Sequence, residues 1–282
     1  MSDLPVDAGG GAPGASANGP ARIDAKRIDL QIPTGHARGE VMSVAQRIFY
    51  RIVRAVVVFV GRVYFRISVR GRHNVPTSGP FILSPIHRSF LDTPAVAAVT
   101  RRRMRYMGKE SLWRGRFSGW FFTTAGGFPV QRGSADRDAL RAGTEVLERG
   151  EPLVLFPEGT RQSGPVVTPL FQGAAYLACR TGAPIVPVGI GGSEAAMRRG
   201  SRMIRPHKIT IVVGEPLWPP PPGPSGRVPR KAITALSDRL ADAIQPLFDE
   251  AQAWAGTPND PSVGDPTGRN ATTAGGHDPE MG

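Results

Sequence analysis

The chain has 282 residues, 40% of them apolar, one cysteine and a formal charge of +12. That length holds one globular domain of roughly 200 residues plus appendages, and a lone Cys179 excludes an intramolecular disulfide and gives no support to a Cys/His metal site. Only Lys26, Lys109, Lys208 and Lys231 are lysines, so arginine carries the positive balance, which asks for an anionic partner, either nucleic acid or acidic lipid.

Residues 1–20 are almost all Gly, Ala, Pro, Ser and Asp, without the basic start and apolar core of a secretory signal. Residues 1–40 are therefore expected to form a disordered tail. Residues 41–66 read as an amphipathic helix: Arg47, Arg51, Arg54, Arg62 and Arg66 fall within about 120° of one another at 100° per residue, leaving a broad apolar face. Its uncharged stretch, Ala55 to Gly61, is far short of the ~20 residues that cross a bilayer. The helix is expected to lie in a membrane surface, or to pack on the following domain and solvate its arginines.

The domain is expected over residues 67–254. Ile67–Arg70 and residues 80–84 read as strands, with His87 in the loop after the second and a helix over 93–100. Asp92 before Thr93-Pro94 suits the N-cap of that helix. The same Asp92 orients His87 if the loop, bounded by Pro85 and Pro94, bends back, because a straight helix would set positions five apart at about 140°. A strand covers 104–107. Around it, Arg101, Arg102, Arg103, Arg105, Lys109, Arg114 and Arg116 with Trp113 resemble a nucleic-acid patch, yet no zinc-finger spacing, aromatic RNA-binding signature or phosphate loop accompanies them. They read as a headgroup-facing cluster or a solvated basic face.

Residues 111–124, rich in Trp and Phe, line an acyl pocket or form a core helix. A strand over 128–130 precedes a helix capped by Ser134, begun with Asp136 and Asp138, and stopped at Gly150. Strands at 152–156, 184–189 and 208–213 alternate with a helix at 172–181, in which Cys179 is a core thiol. A proline-rich spacer over 219–224 leads to a closing helix over 232–254 and a loose tail over 255–282. The fold class is α/β, a layered domain with a central mixed, largely parallel sheet flanked by helices.

Two loops carry chemistry, His87-Arg88-Ser89-Phe90-Leu91-Asp92 and Phe156-Pro157-Glu158-Gly159-Thr160-Arg161, each just after an apolar strand. α/β folds place ligands at such edges. A histidine held by a carboxylate is a general base for a hydroxyl, and a turn with Glu158, Gly159 and Arg161 suits hydroxyl and phosphate groups on one small substrate. No Gly-x-Ser-x-Gly nucleophile signature is present.

These residues resemble the glycerolipid acyltransferases typified by lysophosphatidic acid acyltransferase. The His-x4-Asp and Phe-Pro-Glu-Gly-Thr-Arg motifs stand 69 residues apart, counting from His87 to Phe156, with Lys109–Leu112 continuing to Gly127–Arg132 and Val186–Ile190 as the second and fourth motifs. Ile86 stands where the family usually has Asn, and Gln172 where a lysine is frequent. The resemblance implies transfer of a fatty acyl group from coenzyme A or acyl carrier protein to a lysophospholipid hydroxyl, converting lysophosphatidic acid to phosphatidic acid, with no other cofactor and no metal. It assigns His87 as base and Asp92 as its orienting partner. Glu158, Gly159 and Thr160 shape the glycerol pocket and Arg161 takes the phosphate. Lys109 and Arg132 are further candidates for that anion, and Ser89 matches the family's small hydroxyl position. The expected setting is an anionic membrane surface at the cytoplasmic face, peripheral or monotopic, with no nucleic acid. Another lysolipid or glycolipid acceptor, or a non-catalytic membrane scaffold of the same fold, are the alternatives.

Overall fold

The short apolar runs of the sequence come together in a seven-stranded sheet. The computed structural model describes residues 43–130, 136–167, 169–198, 200–201, 203–221 and 228–259. Strands β1 (Ser68–Arg70), β2 (Ile82–Pro85), β3 (Arg105–Lys109), β4 (Gly127–Val130), β5 (Leu153–Val154), β6 (Ile185–Gly191) and β7 (Thr210–Val213) are ordered β1-β7-β6-β2-β5-β3-β4. β6, β2, β5, β3 and β4 run parallel, while β7 is antiparallel to β6 and β1 is parallel to β7. Ile82, Leu83, Ser84, Ile185, Val186 and Val188 are all fully buried, which is why β2 and β6 read as unbroken apolar runs: a parallel strand is covered on both faces. The mixed, largely parallel sheet is the one expected.

Helices α1 (Val44–Tyr64), α2 (Asp92–Ala95), α3 (Arg116–Thr124), α4 (Asp136–Glu148), α5 (Gly173–Thr181), α6 (Ser193–Ala196) and α7 (Arg230–Ala255) flank it. α4, α5 and α7 pack in one group, and α1, α2 and α3 in another. The closing helix α7 buries Leu236, Leu240, Ile244, Phe248, Ala251 and Ala255, a stripe at three- and four-residue spacing. It lies against β6 so closely that a Cβ on Gly189 would stand 2.1 Å from the Leu247 carbonyl oxygen, and one on Gly191 2.2 Å from that of Ala251. Cys179 is buried in this core, as expected.

Two expectations are revised. The helix after His87 is one turn, α2, followed by a 3-10 turn over Val96–Ala98. Its end is held by arginines, with Arg54 donating to the carbonyls of Ala97 and Thr100 at 3.0 and 2.7 Å, and Arg72 to that of Ala98 at 2.8 Å. The basic run at 101–105 is not an open face. Arg102 donates to the carbonyls of Pro76 and Gly150, Arg103 to that of Thr123, and Arg105 is buried beside Glu151 at 3.5 Å. Burial pulls the Arg105 guanidinium down to about 10. These residues enter β3 at its N-terminal end, level with Ile82, and so lie at the sheet edge away from His87.

Helix α1 begins with a capping box between Ser43 and Gln46. Its apolar surface is divided. Phe49 packs on Trp120 with ring centroids 4.5 Å apart, while Val44, Ile48, Ile52, Val56, Phe59, Val60 and Val63 form an exposed stripe. The helix is thus packed on the domain through one side and leaves an apolar stripe exposed on another. Among the described residues no helix is long and apolar enough to cross a membrane. The aromatic segment at 111–124 is likewise peripheral, with Phe117 and Trp120 exposed beside α1.

Candidate active site

β2 releases the chain at Pro85, and Ile86, fully buried, keeps the strand direction by donating its N–H to the Val188 carbonyl at 3.0 Å. The backbone then turns through residues 87–91. At the end of this turn Asp92 is the first residue of α2 rather than its N-cap, and its carboxylate points backward. Oδ2 accepts the N–H groups of Arg88 and Ser89 at 2.6 and 2.7 Å and lies 3.1 Å from His87 Nδ1. The bend between the two prolines thus brings together residues that a straight helix would separate.

An ionised carboxylate only accepts, so Nδ1 carries the proton in this pair and Nε2 presents its lone pair. Asp92 is fully buried and the His87 side chain 15% exposed, which leaves the imidazole as the part of the pair that meets solvent. The ring is sandwiched from one side by Phe156, stacked at 4.0 Å with an interplanar angle of 25°. A base of this kind can remove a proton from a hydroxyl brought to Nε2.

The second loop meets the first directly. Glu158 is buried, with Oε2 accepting the His87 N–H at 2.8 Å and Oε1 accepting Arg88 Nη1 at 2.6 Å. Its carboxylate therefore lies in the frame of the loops and not on an open surface. Gln162 N–H returns a bond to the His87 carbonyl at 2.8 Å. Gly159 has φ of +68°, and a Cβ there would stand 2.8 Å from the Phe171 ring, so only glycine makes this turn without strain.

Gly159 and Thr160 are exposed and Arg161 is half-buried. Arg161 makes no hydrogen bond or ion pair among the described residues, and it precedes Gln162, whose N–H is bonded to the His87 carbonyl. Ser89 is buried, its hydroxyl donating to the Met197 carbonyl at 2.8 Å and accepting the Leu91 N–H. The backbone of Lys109 ends β3, beside Val130. Arg132 and Ser134 lie outside the described residues. Gln172 is exposed and donates to Thr234 Oγ1.

A model of the Acyltransferase family matches residues 66–191, a span that contains both loops and β2 to β6. Over residues 66–191 the chain is thus similar to the acyltransferase family. The chain is 28% identical over 152 residues to the 1-acyl-sn-glycerol-3-phosphate acyltransferase of Bacillus subtilis, covering 54% of this chain and 73% of that protein. It is 26% identical over 159 residues to the chloroplastic enzyme of the same name from Brassica napus, 55% of this chain and 46% of that one, so it spans less than half of the plant protein. The crystal structure of the 1-acyl-sn-glycerophosphate (LPA) acyltransferase from Thermotoga maritima shares the fold, with a TM-score of 0.59 at 22% identity over 74% of this chain and 83% of that one.

Sequence reasoning passed over two parts of this candidate site. Arg88 has no role in the sequence reading beyond its place in the motif segment, and nothing local marks an arginine as buried, since arginines are usually exposed. The Phe156 stacking on His87 needs two loops to meet and has no signal in either alone.

Proposed function

We propose that this protein transfers a fatty acyl group from a thioester donor, coenzyme A or acyl carrier protein, to the free hydroxyl of lysophosphatidic acid. The observation that carries this reading is the His87–Asp92 pair: Nδ1 held at 3.1 Å by a buried carboxylate and Nε2 left to meet a hydroxyl. The two relatives named above bear names that specify 1-acyl-sn-glycerol-3-phosphate, which supports the choice of acceptor.

In this mechanism the acceptor hydroxyl binds at Nε2 and gives up its proton as the oxygen attacks the thioester carbonyl. The C–S bond then breaks, and the thiolate leaving group takes the proton back from the imidazolium. Asp92 fixes the tautomer and stabilises the imidazolium. Direct attack needs no acyl-enzyme. Arg161, on the loop bonded to His87 through Gln162 and without an internal partner among the described residues, takes the acceptor phosphate with its planar fork, and Gly159 and Thr160 form the open lip of the same turn.

The exposed apolar stripe of α1, next to Arg47, Arg51 and Arg62, suits an anionic bilayer surface from which a lipid acceptor is drawn. On this reading the protein works at the cytoplasmic face of the membrane. The test is release of free thiol from oleoyl- or palmitoyl-coenzyme A and from acyl carrier protein, with and without lysophosphatidic acid, beside His87→Ala. Acceptor-dependent release that vanishes in the variant is expected; equal release by the variant overturns the base, and no release with any donor or lysolipid overturns the activity.

A further inference from the structure

Arg88 follows His87 directly, yet its side chain turns inward and is 1% exposed, the bulkiest of the fully buried side chains. Nη1 donates to Glu158 Oε1 at 2.6 Å and Nη2 to the Val166 carbonyl at 2.9 Å, while the guanidinium carbon lies 5.1 Å from the centre of the Phe248 ring on α7. Nε is buried without a partner. A buried ion pair with an unsatisfied donor is a poor way to gain stability, because well-packed apolar residues of similar volume are often as stable or more so. Its return must lie elsewhere.

The other oxygen of the same carboxylate shows where. Glu158 Oε2 accepts the His87 N–H at 2.8 Å. The Arg88 N–H in turn is held by Asp92 Oδ2, the atom that also holds His87 Nδ1. His87 is therefore gripped at its main chain by Glu158 and at its ring by Asp92, and Arg88 takes part in both grips.

The geometry points to Arg88 and Glu158 as a positioning pair that sets the His87 main chain, so that the imidazole meets Asp92 and the acceptor in register. This rests on the acyl-transfer reading of the site and changes the role the family resemblance gave to Glu158: the carboxylate acts through His87 and does not touch the acceptor. It also gives α7, which lies beyond residues 66–191, a share in the site through Phe248 over the guanidinium.

The experiment compares the wild type with Arg88→Met/Glu158→Gln, Glu158→Gln and Arg88→Lys. The double variant removes both charges while keeping volume and an amide oxygen for His87 N–H, and it is expected to melt within a few degrees of the wild type. Its kcat falls by about 10²-fold, the cost of a small misplacement of a reacting group. KM for acceptor and donor stays within about twofold. Arg88→Lys keeps a cation beside Glu158 and regains part of the kcat.

A second readout needs no turnover. In ¹⁵N-histidine-labelled protein the His87 Nδ1–H proton, identified by its disappearance in His87→Gln, is expected as a slowly exchanging downfield signal that broadens or vanishes in the double variant. Wild-type kcat in the double variant, a raised acceptor KM with kcat kept, or an unchanged Nδ1–H signal each overturns the proposal. A wild type that shows this signal but no acyl transfer refutes the function alone. If the double variant fails to fold, Arg88→Lys decides by the same signal and by whether kcat or KM moves.

Discussion

Asp92 performs two tasks with one oxygen, and substitution separates them. Oδ2 accepts the Arg88 and Ser89 N–H groups, which shape the turn, and holds His87 Nδ1, which serves the chemistry. In Asp92→Ala both main-chain donors lose their acceptor inside a site that is fully buried at residue 92. Each orphaned donor costs about 1–3 kcal/mol, about 2–6 kcal/mol for the two, a large part of the roughly 5–15 kcal/mol that holds a domain folded. At about 2–4 °C per kcal/mol for a domain of this size, the melting temperature drops by roughly 5–20 °C. Asp92→Asn keeps an acceptor for the turn and loses only the charge, a change of about 1–3 kcal/mol on the same scale. It still removes the partner that stabilises the imidazolium, and the equivalent change in a serine protease lowers kcat by about 10⁴. Thermal unfolding and acceptor-dependent thiol release, measured on both variants, check this. An Asn variant with native turnover, or an Ala variant melting within about 2 °C of the wild type, would refute the reasoning.

Arg161→Ala is expected to raise KM for a phosphorylated acceptor by roughly tenfold or more, the loss of a charge-assisted bond of about 1.5–3 kcal/mol, and to leave KM for an unphosphorylated one unchanged in the same assay. Gly189→Ala forces a Cβ to 2.1 Å from the Leu247 carbonyl oxygen, so α7 shifts off β6 at a cost of at least about 2 kcal/mol, seen as faster amide exchange along residues 230–255. Ile52→Asp with Phe59→Asp on the exposed stripe of α1 weakens co-sedimentation with phosphatidylglycerol vesicles by more than about tenfold, given about 1.5–3 kcal/mol for each large apolar side chain. Unchanged binding would place the membrane contact elsewhere. The Cys179 thiol is buried and its pKa raised by that burial, so iodoacetamide at pH 8 labels it only on unfolding; rapid labelling of the folded protein would contradict its packing.

Much of the fold was legible because parallel strands covered on both faces leave continuous apolar runs, as at Phe81–Leu83 and Ile185–Val188. The site was legible where a motif fixes spacing and two prolines permit a bend, as between His87 and Asp92. It was not legible where a charge serves the interior. Arg88, Glu158 and the Arg102–Arg105 run look like surface residues in the sequence, and their partners, Val166, Phe248, Pro76, Gly150 and Thr123, lie on segments that only the folded chain brings near. The helix after Asp92 was overextended for a related reason. Its pattern of alanine and valine favours continuation, whereas Arg54 and Arg72, from α1 and the loop after β1, occupy its last carbonyls and end it.

The edge strand β1 has β7 as its neighbour in the sheet, with Ser68 beside Thr210, and nothing made between them in the sequence can take that place. A growing chain thus completes β2 through β6 while β1 waits unpaired. Pairings so distant along the sequence form slowly, and in that interval the unpaired strand edges are prone to aggregate. The order of synthesis therefore leaves the flank of β6 open until β7, the last strand to be made, reaches it and β1 together.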